Sequence, residues 1–219
     1  MKSFIKYLVL YITTAFLFVS CSDKTLEPVA NDSDLIPLAE GNKWVYNSYD
    51  YNDSSGTQIT TFVHEILYKE AINQETWYFM NRDTNQTAYI NRYNGLWFAW
   101  SLSKDNEKQL ANYPLKLYDS VFYDIFTRTN ENGQIIDSIS IFKKITSLNS
   151  VITVPAGKFI CVEIREISYN KDGMEDRYSQ IVEYYKPGIG RIKVMYYDTD
   201  NEGNRTLVPM YELVEYKIQ

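Results

Sequence analysis

Four turn sequences, each flanked by runs of β-branched and aromatic residues, set the fold class of this chain. Asn94-Gly95 separates residues 89–93 from 96–102, and Asn132-Gly133 separates 121–129 from 134–143. Asp172-Gly173 separates 159–169 from 174–185, and Asn201-Glu202-Gly203-Asn204 separates 192–197 from 206–218. Asn-Gly and Asp-Gly tolerate the positive φ angles of tight hairpin turns, so neighbouring runs are antiparallel. Residues 52–56 add a fifth turn, between 44–51 and 57–67. No window of a dozen residues carries a helical apolar stripe. The expectation is all-β, a curved antiparallel sheet in a half-barrel or barrel-like meander. Within it, residues 65–72 read as a short helical turn and residues 106–117 as an irregular crossover broken by Pro114.

Several of these runs are apolar on both faces. Thr76-Trp77-Tyr78-Phe79-Met80, residues 121–126 and residues 192–197 do not alternate cleanly, so something must cover the second face. A curved sheet achieves this by closing on itself, by packing on another sheet, or by holding a cavity. Twenty tyrosines suit all three, because the ring packs while the hydroxyl reaches a partner.

Charge and composition narrow the function. A net charge of −6 argues against nucleic acid, whose phosphates demand clustered basic side chains. A single histidine and the lack of a C-x-x-C pair argue against a zinc site, and no cofactor is expected. Paired carboxylates are the only enzymatic constellation to weigh. Glu163 shares a strand face with Arg165, which reads as a solvated charge pattern, and Glu175-Asp176 has no further support. Asp198, Asp200, Asn201 and Glu202 lack calcium-loop spacing and read as a polar turn. The chain is expected not to be an enzyme.

The first twenty residues read as an address. Lys2 and Lys6 precede an apolar run over residues 8–19, then Ser20 and Cys21. The run is too short to span a bilayer. Leu17-Phe18-Val19-Ser20-Cys21 resembles the lipobox of Gram-negative lipoproteins, which implies cleavage before Cys21, acylation of that cysteine, palmitate among its chains, and an outer-membrane anchor facing either the periplasm or the surface. The alternative is an ordinary cleaved signal with an incidental cysteine. The organisation expected is a lipoprotein signal over 1–20, a flexible tether over 21–34 and a single β domain over 35–219. With Cys21 acylated, Cys161 has no disulfide partner and reads as a small buried side chain.

Three strings carry a wider resemblance: Pro37-Leu38-Ala39-Glu40-Gly41-Asn42-Lys43-Trp44-Val45-Tyr46, Val154-Pro155-Ala156-Gly157-Lys158-Phe159, and Tyr185-Lys186-Pro187-Gly188-Ile189-Gly190-Arg191-Ile192-Lys193. In this order they resemble the TapB-like family of bacterial secreted lipoproteins. That resemblance implies a curved antiparallel sheet or half-barrel similar in shape to periplasmic lipoprotein carriers, and no catalytic residues. Physically the strings read as backbone devices: Trp44 anchors one edge of the core, 155–157 breaks a strand, and 187–190 turns a corner.

The candidate binding residues are aromatic: Trp97, Tyr93 and Trp100. Strand parity puts Leu96, Phe98 and Trp100 on one face and Trp97 on the other, facing a cavity or solvent where it can stack on a sugar or cover an acyl chain. His64 reads as a surface or rim residue. The function expected is a lipid-anchored envelope β domain, non-enzymatic, that binds a hydrophobic ligand or an envelope partner. The alternative is a surface glycan-binding module that uses exposed aromatics.

Overall fold

A computed structural model describes residues 34–50, 57–82, 85–99, 106–176, 181–199 and 202–219. Its strands are β1 (Lys43–Tyr49), β2 (Gln58–Ile72), β3 (Glu75–Arg82), β4 (Asn85–Arg92), β5 (Gly95–Ala99), β6 (Glu107–Asn112), β7 (Ser120–Thr129), β8 (Ile135–Val154), β9 (Gly157–Tyr169), β10 (Glu175–Asp176), β11 (Ile181–Lys186), β12 (Gly190–Thr199) and β13 (Arg205–Lys217). They form one antiparallel sheet in the order β6-β5-β4-β3-β2-β1-β13-β12-β11-β9-β8-β7, with β10 paired to β9. Sequence neighbours are therefore almost always sheet neighbours, and the first and last strands pair with each other.

The path begins at β6 and ends at β7, and these two strands lie side by side without a backbone ladder. The sheet is a nearly closed barrel with a seam. Across the seam the Lys108 ammonium meets Asp124 at 2.8 Å, and the rings of Phe98 and Tyr123 stack at 5.9 Å. The all-β, barrel-like expectation holds.

Two local readings need correction. Residues 65–72 are the outer half of β2 and not a helical turn: residues 67–71 are all exposed, so this stretch carries no inward apolar period to read. Residues 107–112, read as crossover, are β6, a polar strand whose β7-side edge has no ladder.

The hairpin turns obey sequence chemistry more closely than the dipeptides suggest. In the β7–β8 turn the Asn130 side-chain oxygen accepts from the backbone N–H of Asn132 (3.0 Å) and Gln134 (2.9 Å), while Gly133 takes φ +75. The β9–β10 turn repeats this with Asn170 accepting from Asp172 (3.0 Å) and Met174 (2.9 Å), and Gly173 at φ +75. An asparagine opening the loop and a glycine three residues later make one five-residue turn, used twice. The β4–β5 connection differs from expectation. Its turn residues are Tyr93 and Asn94, neither at positive φ, and Gly95 is the first residue of β5, paired with Arg92 at φ +151.

Gly95 is also a steric necessity. A Cβ there would stand 2.1 Å from the Ala111 carbonyl oxygen on β6. Gly95→Ala is expected to push β6 off β5 and cost about 2 kcal/mol or more, read as a lower denaturant midpoint with earlier protease cleavage near the seam.

The three strings meet at one end of the barrel. Trp44, 1% exposed, donates its indole N–H to the Ile189 carbonyl at 2.6 Å, and the Tyr46 hydroxyl donates to the Arg191 carbonyl at 2.9 Å. A Cβ on Gly190 (φ +113) would press to 3.1 Å from the Trp44 indole nitrogen, so the glycine makes room for the ring. The Ala156 N–H donates to the Leu213 carbonyl, and the Asn42 side chain bridges the Pro37 carbonyl and the Gln219 N–H. Their role as backbone devices follows directly from this convergence.

Candidate functional site

Strand parity sorts the β3–β4–β5 wall into two faces. Leu96, Phe98, Tyr89 and Met80 belong to the main core inside the barrel, whereas Trp77, Phe79, Ala88, Ile90 and Ala99 form a second apolar cluster with Ile72 and Trp97 packed on it. Register explains the grouping: β3 runs beside β4 with Tyr78 opposite Tyr89, which brings Trp77 beside Ile90, and Ile90 is opposite Trp97. Trp97 therefore lies on the outer wall, as its parity predicts.

Arg92 organises this wall. Its guanidinium lies 5.0 Å from the Trp97 ring centre and 5.6 Å from that of Trp77. It donates to both oxygens of Glu75 (2.7 and 2.6 Å) and to Glu107 at 2.9 Å. A two-pronged pairing with Glu75, a second carboxylate and two ring faces fix the cation more rigidly than a surface arginine. The hydrogen bonds it donates to Glu75 are the largest influence on its pKa, which rises further above its ordinary value.

Two depressions flank that pair. One of about 720 Å³ is lined by Ile72, Asn73, Gln74, Glu75, Trp77, Arg92, Ala99 and Glu107. The other, about 540 Å³, shares Glu75 and Arg92 and extends past Thr76, Tyr78 and Asn91 to Tyr93 and Asp34. Tyr93 is 97% exposed at the rim. The Trp97 indole N–H is buried and has no hydrogen-bond partner among the described residues. Tyr93 lines the second depression together with Arg92, whereas Trp97 lines neither and supports Arg92 from below through its ring. Trp100 lies outside the described residues, as do Cys21 and the whole of the expected signal.

The barrel interior holds a second polar arrangement that sequence reading missed. Lys143 and Glu183, each 5% exposed, pair at 2.8 Å, and Lys143 also meets Glu166 at 3.4 Å. Arg191 meets Glu183 at 3.0 Å and donates to the hydroxyls of Tyr185 (3.0 and 2.9 Å) and Tyr211 (2.6 Å). Burial alone would raise the Glu183 pKa, but the charges of Lys143 and Arg191 and the hydrogen bonds from Lys143 and Tyr185 outweigh it and hold the carboxyl down at about 2. Burial pushes the Tyr123 hydroxyl up to about 12. A cavity of about 200 Å³ opens among these groups, walled by Tyr89, Phe98, Leu110, Tyr123, Met210 and Tyr211. The expectation of an apolar cavity for a hydrophobic ligand is not met by this one, whose lining carries four charged side chains.

Other candidates are placed as follows. His64 is buried, 4% exposed, between the rings of Tyr46 and Phe62 at 5.1 Å each, because β2 parity puts it inside with Ile66. Glu163 is nearly buried, accepting from Thr146 at 2.7 Å, Ser150 at 3.1 Å and Arg165 at 2.7 Å, and only Arg165 is well exposed. Cys161 is fully buried and burial pushes its thiol up to about 12, so it is inert.

A family model described as DUF3108-like matches residues 103–206, the second half of the barrel. The fold is similar to that of a protein from Bacteroides fragilis described as exported and as having a YmcC-like fold, with a TM-score of 0.51 and 16% identity over 85% of this chain and 100% of that one. A chain from Parabacteroides distasonis described as a lipoprotein aligns with a TM-score of 0.44 and 16% identity, covering 84% of this chain and 99% of that one. No curated protein matches the chain. The comparisons show a DUF3108-like match over residues 103–206 and, through the Bacteroides fragilis structure, a barrel fold of this type; the narrower TapB-like resemblance rests on the three strings alone.

Proposed function

We propose that this chain is an exported protein, anchored to the outer membrane through lipid on Cys21, whose barrel is a non-enzymatic module that binds neutral glycan chains along its outer wall. The observation that carries the reading is the pair of open depressions that share Glu75 and Arg92, whose guanidinium lies against the rings of Trp77 and Trp97, with the exposed Tyr93 at the edge of one of them. Carboxylates, amides and a guanidinium in fixed positions exchange hydrogen bonds with sugar hydroxyls, while exposed ring faces such as Tyr93 cover the apolar faces of the sugar. Acidic polysaccharide is disfavoured, because Asp34, Glu75 and Glu107 outnumber Arg92 along the strip. Similarity in shape to a protein described as exported agrees with the secretory start of the sequence.

Affinity electrophoresis through gels cast with neutral polysaccharides tests the reading. Wild type is expected to be retarded by at least one of them, Trp97→Ala to lose that retardation, and Tyr93→Ala to weaken it without changing the melting temperature. Truncating an aromatic in a ligand contact costs about 2 kcal/mol, some thirtyfold in affinity. Unretarded wild type across the panel, together with displaceable binding of a fluorescent fatty acid, would return the choice to a hydrophobic ligand.

A further inference from the structure

We propose that the barrel interior is a second binding site, separate from the outer strip, for a single neutral, hydroxyl-rich molecule the size of one sugar ring. None of the residues lining the inner cavity lines either outer depression.

Size comes first. A cavity of about 200 Å³ corresponds to roughly six or seven water molecules at about 30 Å³ each, the bulk of one six-membered sugar and much less than a lipid. Charge then selects among molecules of that size. Lys143 and Arg191 balance Glu166 and Glu183 in the lining, and the pairs are already made at 2.8, 3.0 and 3.4 Å. An ion entering would bring an uncompensated charge into a space of low polarisability, and a zwitterion would have to break existing pairs to satisfy its own. A neutral molecule with several hydroxyls donates to the carboxylates and accepts from the cations while leaving the pairs intact. Tyr89, Phe98 and Tyr123 add ring faces. Among the described residues the Tyr123 hydroxyl makes no hydrogen bond, so one donor and acceptor remains for a guest.

The seam supplies the entry. Leu110 on β6 and Tyr123 on β7 line the cavity from its two sides, and these strands part without breaking a backbone ladder. What must give way is the Lys108–Asp124 pair and the Phe98–Tyr123 stack.

Titration calorimetry and thermal shift on the mature chain test this with glucose, galactose, mannose, xylose, arabinose and rhamnose as probes, and with glycine, alanine and acetate as charged comparators. At least one neutral sugar is expected to bind one per chain and raise the melting temperature. Met210→Trp, which fills the cavity, is expected to abolish that binding. Tyr123→Phe, which removes one hydroxyl and keeps the ring, is expected to weaken it five- to tenfold. Trp97→Ala is expected to leave it unchanged, which separates this site from the outer strip. If Met210→Trp does not fold, Tyr123→Phe decides alone. The proposal fails if no sugar binds, if the comparators bind and the sugars do not, or if sugar binding is unaffected by the cavity variants.

Discussion

Glu183→Ala is expected to destabilise the barrel by about 3–5 kcal/mol, a large loss for a single substitution at a charged residue. The reason is what stays behind. Glu183 is 5% exposed and is the shared partner of Lys143 and Arg191, so its removal strands two cations in the interior with only Glu166 near them. Asp124→Asn makes the contrast, because the Lys108–Asp124 pair is half exposed and its loss should cost no more than about 1 kcal/mol. Chemical denaturation of the two variants measures both. The same carboxylate sets an acid limb. Its folded pKa, about 2, lies below its ordinary value of 4.5, so its contribution is complete above pH 4.5 and is lost as pH falls towards 2. At about 1.36 kcal/mol per pH unit, that gap amounts to roughly 3 kcal/mol. Wild type should therefore lose stability across this window, and Glu183→Ala should show a flatter curve there. Parallel curves, or a loss under 1 kcal/mol in the variant, would mean that the interior charges are solvated.

Much of the fold was legible because it depends on local rules. Glycine at positive φ marked the β7–β8 and β9–β10 turns, though Asn130 and Asn170, which hold those loops closed, were missed since their role appears only in pairs of backbone N–H contacts. Parity placed Trp97 on the outer wall because one strand suffices to decide it. The interior network was not legible, because alternation assigns charged residues to the solvent side by default. A signal was present: Lys143 shares parity with buried Ile145, and Glu183 with buried Tyr185, so both point inward unless their strands slip. His64 fails in the same way, lying between Phe62 and Ile66 on the inward parity of β2. Arg191 sat within a string read as a corner, and its backbone does serve that corner by accepting from Tyr46. Its side chain does something else, and that depends on Glu183, Tyr185 and Tyr211 arriving from neighbouring strands. β6 was missed because a polar strand at a seam needs apolar residues on only one side of one edge.

Cys21→Ser is expected to move the protein completely from the membrane fraction to the soluble one and to abolish incorporation of labelled palmitate. Each buried methylene contributes about 0.8 kcal/mol, and one chain holds a protein only marginally, whereas the two or more chains of an acylated amino-terminal cysteine hold it stably. Electrostatic attraction does not replace them. The chain carries −6 overall and gains no basic residue by losing Lys2 and Lys6 with the signal, so an anionic lipid surface repels it. High salt should accordingly fail to release the wild type, which separates lipid anchoring from electrostatic adsorption. Cys161→Ser should keep the label, since that thiol is fully buried and its pKa is pushed up to about 12, leaving too little thiolate and too little access for acylation. Because β1 pairs with β13 and the described strands run from Lys43 to Lys217, the released Cys21→Ser barrel should melt at the wild-type temperature. A Cys21→Ser product that still carries palmitate, or a wild type whose Cys21 thiol is free by mass spectrometry, would sink the anchor and leave the barrel as a freely secreted domain.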